Sequence, residues 1–286
     1  MPKEIQKGQK PKAQIGIFGG SGFYDLLSGI KEYEIKTPYG KPSDKIAVGE
    51  YEGISVAFLP RHGKKHQYPP HKIPYKANLY AFKQLGIEKI IGPCAAGSLR
   101  AEIKPGSFVI CDQFFDRTNG RDDTFFNGPK ACPSKCETFG AVAHISSAEP
   151  YCSQLRNLAY NSCKKLKITV HPNGTVVVIN GPRFSTKSES RFFQGQGWEV
   201  INMTQYPECI LARELEMCYV NISLITDYDA GLVGSQKIKP VTTAEVIKVF
   251  QENNEKVKKL IFEMIRQISF EKKCDCQKAL DGAMMG

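Results

Sequence analysis

Residues Glu199–Gly231 read EVINMTQYPECILARELEMCYVNISLITDYDAG, and this pattern decides the fold. Glu199–Met203 is a short apolar run that reads as a strand. Pro207 suits a first helical turn, and Glu208 adds negative charge near the positive end of that helix. Glu208–Met217 then places Ile210, Leu211 and Leu215 on one side of a helix. Cys218–Ile225 is a mainly apolar run, as expected of a strand buried on both faces. Strand, helix and strand in this order predict a β–α–β crossover with parallel strands. Met203-Thr204 and Asp227-Tyr228-Asp229 would then leave the sheet at one edge, where open α/β sheets bind ligands.

Working outward, Ala13–Phe18 is a strand entering Gly19-Gly20-Ser21-Gly22. Tyr33–Thr37 approaches a turn at TPYGKPSD, and Lys45–Val48 and Ser55–Leu59 read as further strands joined near Tyr51-Glu52-Gly53. The second of these ends in Pro60-Arg61-His62-Gly63. A helix is expected over Tyr75–Leu85, a strand over Lys89–Ile91 breaking into GPCAAGS, and another over Ser107–Cys111 before a polar loop, DQFFDRTNGRDDTFFNG. Pro129–Phe139 reads as a surface insertion, Tyr151–Lys165 as a helix, and Gly174–Ile179 as a strand ending in NGPRFSTKSES. A long amphipathic helix from Thr243 to about Ile268 closes the fold. The expectation is one α/β domain over residues 13–268, a mixed and mainly parallel β-sheet surrounded by helices. Residues 1–12 form a basic N-terminal tail and 269–286 a C-terminal tail with a Cys-X-Cys pair.

The 286 residues carry a net charge of +10, much of it in residues 1–12 and in Lys256–Lys273, which reads as solvated tail and helix surface. No run interleaves basic residues with aromatics, so nucleic-acid binding is not expected. No apolar run approaches the roughly 20 residues that span a bilayer, and the N-terminus lacks a signal-peptide core, so a cytoplasmic protein is expected. Among ten cysteines, Cys111, Cys209 and Cys218 lie in apolar runs and read as buried thiols. Cys132/Cys136 and Cys274/Cys276 lie in loop or tail sequence. They fit a disulfide at either pair better than zinc, because the pairs lie far apart and the Cys-X-Cys spacing is poor for a ligand knuckle. His66, His71, His144 and His171 lack metal-ligand spacing and read as structural. No metal is expected.

The chemistry lies in the loops that follow the strands: GGSG, RHG, GPCAAGS, GPRFS, NMT and TDYD. GGSG lacks the third glycine of a dinucleotide fingerprint, and no Walker-type lysine follows it. It offers backbone N–H groups and the Ser21 hydroxyl, which suit a tetrahedral anion. Arg61 adds a donor fork beside His62, Cys94-Ala95-Ala96-Gly97 allows close backbone approach, and Thr204 adds a hydroxyl. Asp227 and Asp229, one residue apart, would face the same way and recognise a nitrogen heterocycle. A protonated carboxyl there would help a purine leave. Phe184 is placed to stack on such a base.

IGIFGGSGFYD, TPYGKPSD, LPRHGKKH with PPHKIPYKAN, AAGSLR, PGSFVICDQFFDRT, GPRFSTKSES, INMTQYPE and ITDYD occur in one order across residues 13–268. The set resembles the methylthioadenosine phosphorylases of the trimeric purine nucleoside phosphorylase superfamily. The resemblance implies a single nucleoside-phosphorylase-like α/β domain, assembled as a homotrimer or a dimer of trimers. It implies reversible phosphorolysis of an N-glycosidic bond, with inorganic phosphate as co-substrate and no metal or organic cofactor. It puts phosphate at Ser21, Arg61, His62, Cys94, Ala95 and Thr204, ribose near Met203, and adenine near Phe184, Ser185, Asp227 and Asp229. Thr243, Val246 and Ile247 would line the 5′ pocket, and His144 would come from a neighbouring subunit. Cys94 stands where many members have Thr, Asn180 where many have Glu, and Thr243 where thioether-binding members have Val. Purine nucleoside phosphorolysis of adenosine, inosine or guanosine therefore stands as the alternative. The aspartate pair favours a 6-aminopurine over a 6-oxopurine.

Overall fold

The apolar runs build a sheet buried on both faces. The computed structural model describes residues 12–19, 27–128, 141–232 and 240–285. Its strands are β1 (Ile15–Phe18), β2 (Ser28–Tyr33), β3 (Ile46–Tyr51), β4 (Ile54–Leu59), β5 (Lys89–Ser98), β6 (Phe108–Val109), β7 (Gln113–Arg117), β8 (Val142–Ala143), β9 (Val170–His171), β10 (Thr175–Ile179), β11 (Val200–Asn202), β12 (Cys218–Asp227) and β13 (Met284–Met285). Its helices are α1 (Tyr75–Gln84), α2 (Ser153–Lys165), α3 (Lys187–Gly195), α4 (Gln205–Glu214) and α5 (Thr243–Gln267). Eleven strands form one mixed sheet in the order β2-β3-β4-β1-β5-β11-β10-β7, with β12 and β6 branching from β5 and β9 beside β6.

Period-two alternation divides the core between the two faces. Along β12, Tyr219 and Ile225 pack on the α1/α4 side with Leu79, Phe82 and Leu211. Cys218, Val220, Ile222 and Leu224 pack on the α2/α5 side with Leu155, Leu260 and Ile261. Layers on both faces keep every residue of Cys218–Ile225 buried, including the polar Asn221 and Ser223, where the Ser223 hydroxyl donates to Asn221 Oδ1 at 2.8 Å. Between β3 and β4, Glu52 and Gly53 both take positive φ (48° and 81°), the two-residue turn that suits a twisted hairpin. The α/β class, the single domain and the mixed, mostly parallel sheet stand as read from the sequence.

Four local readings change. Strand β5 does not break at GPC but runs ten residues to Ser98. Residues 113–117, read as loop, are the edge strand β7, whose outer residues are exposed. NGPRFSTKSES contains the start of α3, opened by a capping box in which Thr186 and Glu189 satisfy each other's backbone N–H. The fourth change is topological. β12 lies parallel to β5 whereas β11 lies antiparallel to it, so β11 and β12 are not the parallel pair expected of a simple crossover.

The C-terminal residues are not a free tail. Cys276, Ala279 and Ala283 are buried, and β13 pairs with β8. Cys132 and Cys136 lie outside the described residues, so the disulfide expected there has no structural counterpart to report. No helix among the described residues is long and apolar enough to cross a membrane.

Candidate active site

The long strand β5 is the floor of the site. β1 and β12 run alongside it in parallel, and β4 runs parallel to β1. From the opposite direction β11 pairs Val200 with Ser98 and Ile201 with Gly97, so its end at Asn202 points back toward the middle of β5. The loops therefore meet over the second half of β5 rather than along one sheet edge. Cys94 and Gly97 mark two ends of this floor, separated by roughly 10 Å of extended chain.

At the Cys94 end, Arg61 is buried beneath the loop after β4. Its fork does not lie open: Nε donates to Glu208 Oε2 at 2.7 Å, Nη2 to Glu208 Oε1 at 2.8 Å, and Nη1 to the Pro93 carbonyl at 3.0 Å. The guanidinium also lies 4.7 Å above the Phe18 ring. Glu208, expected as a helix-end charge, is instead a fully buried counter-ion that also accepts from the Tyr219 hydroxyl at 2.6 Å. Arg61 thus keeps its charge in a locked orientation, with its remaining N–H groups left for a ligand.

His62 Nδ1 lies 2.8 Å from the Tyr68 carbonyl, so Nδ1 carries the proton and Nε2 is the acceptor of the neutral ring. Burial, helped by the neighbouring Arg61 charge, pulls His62 down to about 4 against the pull of the Tyr68 bond. Cys94 turns its sulfur inward, accepting from Asn202 and Asn221 Nδ2 at 3.2 Å each, and burial raises its thiol. Only the backbone of Cys94-Ala95 is then left for an anion. Thr204 is buried at the N-cap of α4, yet its hydroxyl does not cap that helix. Ser21 lies outside the described residues.

At the Gly97 end stand the aspartates. Asp227 ends β12 and pairs with Gly97 after a register shift that skips Thr226. Its Oδ1 accepts from the Asp229 N–H and its Oδ2 from Thr226 Oγ1, both at 2.7 Å. Burial pushes the Asp227 carboxyl up to about 6, against those two bonds and with help from the Asp229 and Glu245 charges. Asp229 takes a left-handed backbone, φ 49°, and burial raises its carboxyl too, while Ser190 and the Ala230 N–H temper the rise. Asp229 Oδ2 and Ser185 Oγ are buried without a hydrogen-bond partner among the described residues. Unsatisfied buried oxygens are costly, and a ligand with complementary N–H groups would satisfy them.

Gly97 is what lets β5 approach this turn. A Cβ there would lie 2.8 Å from Asp227 Oδ1, 3.1 Å from Ile201 Cγ2 and 3.2 Å from the Asp229 nitrogen. Gly97→Ala is therefore expected to displace the aspartates and lower kcat/KM by about tenfold or more, since small misplacements at a reacting centre carry large rate penalties. Steady-state kinetics checks this, and an unchanged kcat/KM would show that the turn tolerates the shift.

Met203 follows β11. Its carbonyl accepts from Arg121 Nη2 at 2.8 Å, and its sulfur lies 2.7 Å from where a Cβ on Gly181 would stand. Arg121, not singled out in the sequence, also ties the carbonyls of Asn180 and Tyr206 to this point. A cavity of about 610 Å³ opens on the outer side of Arg121, lined by His71, Lys72, Tyr75 and Lys76, and neither Asp227 nor Thr204 lines it. Phe184 is half-buried, Val246 is half-buried, and Thr243 and Ile247 are exposed at the start of α5. The Val241 N–H donates to the Asp229 carbonyl at 2.8 Å, which ties the segment leading into α5 to the aspartates. His144 is exposed, on the side of β8 and β13 rather than in the cleft of its own chain.

A locked arginine beside Pro93-Cys94 and an aspartate turn beside Gly97 thus share one strand of an α/β sheet. The chain belongs to the phosphorylase superfamily, whose sequence pattern it matches over residues 14–266. It is 50% identical over 276 residues to an S-methyl-5′-thioadenosine phosphorylase of Thermofilum pendens, covering 96% of this chain and 99% of that one. Its fold is similar to a methylthioadenosine phosphorylase from an Antarctic soil metagenomic library, with TM-score 0.86, 36% identity, and coverage of 96% of this chain and 93% of that one. It is likewise similar to the methylthioadenosine phosphorylase of Schistosoma mansoni in complex with adenine, with TM-score 0.85, 33% identity, and coverage of 96% and 99%.

Proposed function

We propose that the chain catalyses reversible phosphorolysis of S-methyl-5′-thioadenosine, yielding adenine and 5-methylthioribose 1-phosphate. The observation that carries this reading is the Asp227–Asp229 turn, held against Gly97 three residues along β5 from Cys94. Phosphate is held by the Cys94-Ala95 backbone, Thr204, Ser21 and the free N–H groups of Arg61. Neutral His62 offers Nε2 to the phosphate hydroxyl. A phosphate oxygen forms a bond to the anomeric carbon as the bond from that carbon to the purine nitrogen breaks. The bonding pair stays with the base, and a proton delivered from Asp227 to a second ring nitrogen neutralises it. Asp229 and Ser185 read the exocyclic amine, Phe184 lies along the base, and Met203 underlies the sugar.

Thr243, Val246 and Ile247 are the residues proposed to meet the 5′ substituent. His144 is proposed to act in the cleft of a neighbouring copy within a homotrimer. In support, His144 adjoins an apolar ribbon, with Val142, Met284 and Met285 at 40%, 41% and 59% exposure. Phosphate-dependent base release is expected to be fastest with S-methyl-5′-thioadenosine, slower with adenosine and slowest with inosine in one parallel assay. Release confined to inosine would overturn the reading in favour of a 6-oxopurine enzyme.

A further inference from the structure

The sequence separates Cys152, Cys218, Cys274 and Cys276, but the fold gathers their sulfurs. All four Sγ atoms lie within 4.8 Å of one another, with Cys218 and Cys274 at 3.4 Å. Three elements contribute: Cys152 at the N-cap of α2, Cys218 at the start of β12, and Cys274 and Cys276 in the C-terminal segment. All four thiols are free. Cys152, Cys218 and Cys276 are buried while Cys274 is partly exposed, which leaves one side open for entry. Cys152, Cys218 and Cys276 belong to the apolar cluster of Leu155 and Leu260, with Cys274 packed against it, so the four sulfurs meet at its edge.

We propose that these four cysteines hold one zinc ion as a tetrathiolate. Zn–S bonds of about 2.3 Å in a tetrahedron place the sulfurs about 3.8 Å apart, within the span that the four atoms already occupy. Soft sulfur donors in a closed tetrahedral set select zinc over oxygen-preferring cations. The excess negative charge has neighbours to offset it: Lys272 and Lys273 immediately precede Cys274, and the first-turn N–H groups of α2 point toward Cys152. The unfavourable Cys-X-Cys spacing is overcome because the remaining two ligands come from rigid elements of the body.

The site lies at the opposite end of β12 from Asp227, nine residues or roughly 30 Å away, so its task is structural. It clips residues 274–276 to the body. The following chain ends in β13, which pairs with β8, and Ala283 accepts from the His144 N–H at 2.9 Å. The ion therefore anchors the segment that carries His144.

Elemental analysis of the full-length protein, purified under reducing conditions with zinc and without chelator, is expected to find about one zinc per chain. Co²⁺ added to the metal-free protein should give the visible bands of a tetrahedral thiolate complex. Cys276→Ser and Cys274→Ser should lose the metal, whereas Cys163→Ser, at a buried thiol outside the cluster, should retain it. Chelation should lower Tm and speed proteolysis within residues 270–285. Absence of zinc with all four thiols reactive overturns the proposal, as does iron in zinc's place. Two disulfides, seen as a mass lowered by the lost hydrogens in protein kept reduced, also overturn it. Co²⁺ binding to the wild-type chain decides the matter even if a serine variant fails to fold.

Discussion

Asp227→Asn is expected to lower kcat for S-methyl-5′-thioadenosine by about 10²–10⁴-fold, the usual range for losing a positioned proton donor. The amide can still donate a hydrogen bond to a ring nitrogen but cannot surrender the proton. The KM for phosphate should change little, because the anion end lies roughly 10 Å away along β5. Since burial brings the Asp227 carboxyl to about 6, wild-type kcat/KM should fall as pH rises above that value. This limb should vanish in the variant.

The same displacement predicts a stability signature. The carboxyl rises from 3.8 to about 6 on folding, so the folded chain holds a proton that the unfolded chain releases between about pH 4 and 6. Stability contributed at this position is present below pH 4 and falls as pH rises through the window. The loss is on the order of 3 kcal/mol. Asp227→Asn should therefore resist heat better than the wild type above pH 6 while turning over far more slowly. Unchanged turnover would remove Asp227 from the leaving-group step. A variant with no gain in Tm would show that the carboxylate is better solvated than its burial implies.

Glu208→Gln carries the second large expectation. Glu208 and Arg61 form a bidentate pair with side chains 0% and 8% exposed. Removing one charge leaves a buried guanidinium without its counter-ion, which typically costs about 3–5 kcal/mol. In a chain of this size that lowers Tm by on the order of 10 °C. An anion beside Arg61 would restore part of the missing charge. Inorganic phosphate should then raise the Tm of Glu208→Gln more than that of the wild type, while kcat falls because the fork is no longer locked. Equal phosphate shifts in both proteins would place the anion away from Arg61. Wild-type stability in the variant would mean that the pair is better hydrated than its burial indicates.

Glu208 also shows where sequence reading stops. In the sequence it follows Pro207 at a helix start, a position at which exposed carboxylates are common. Nothing local distinguishes it from such a residue, because its partner lies 147 positions away. Arg121 was passed over for a similar reason: it lies in a polar stretch, DRTNGRDD, and only the fold brings it to the carbonyls of Asn180, Met203 and Tyr206. Cys94 reads as a loop residue in the sequence but lies within β5, and its side-chain direction depends on Asn202 and Asn221. β7 was missed because QFFDR has an exposed outer half, which removes the apolar signal of a buried strand.

Local chemistry alone determined the apolar strands, the main amphipathic helices and the glycine-rich, aspartate-rich loops that follow the strands. Each of these depends on side-chain periodicity or backbone freedom within a few residues. Tertiary structure decided the direction of β11, the burial of Glu208 and the meeting of four distant cysteines. These depend on which segments share a face of the sheet, and on electrostatic costs that arise only once water has been excluded. Residues such as Asp227 could be singled out from the chain, but the shift of its carboxyl toward neutrality belongs to the packed cleft.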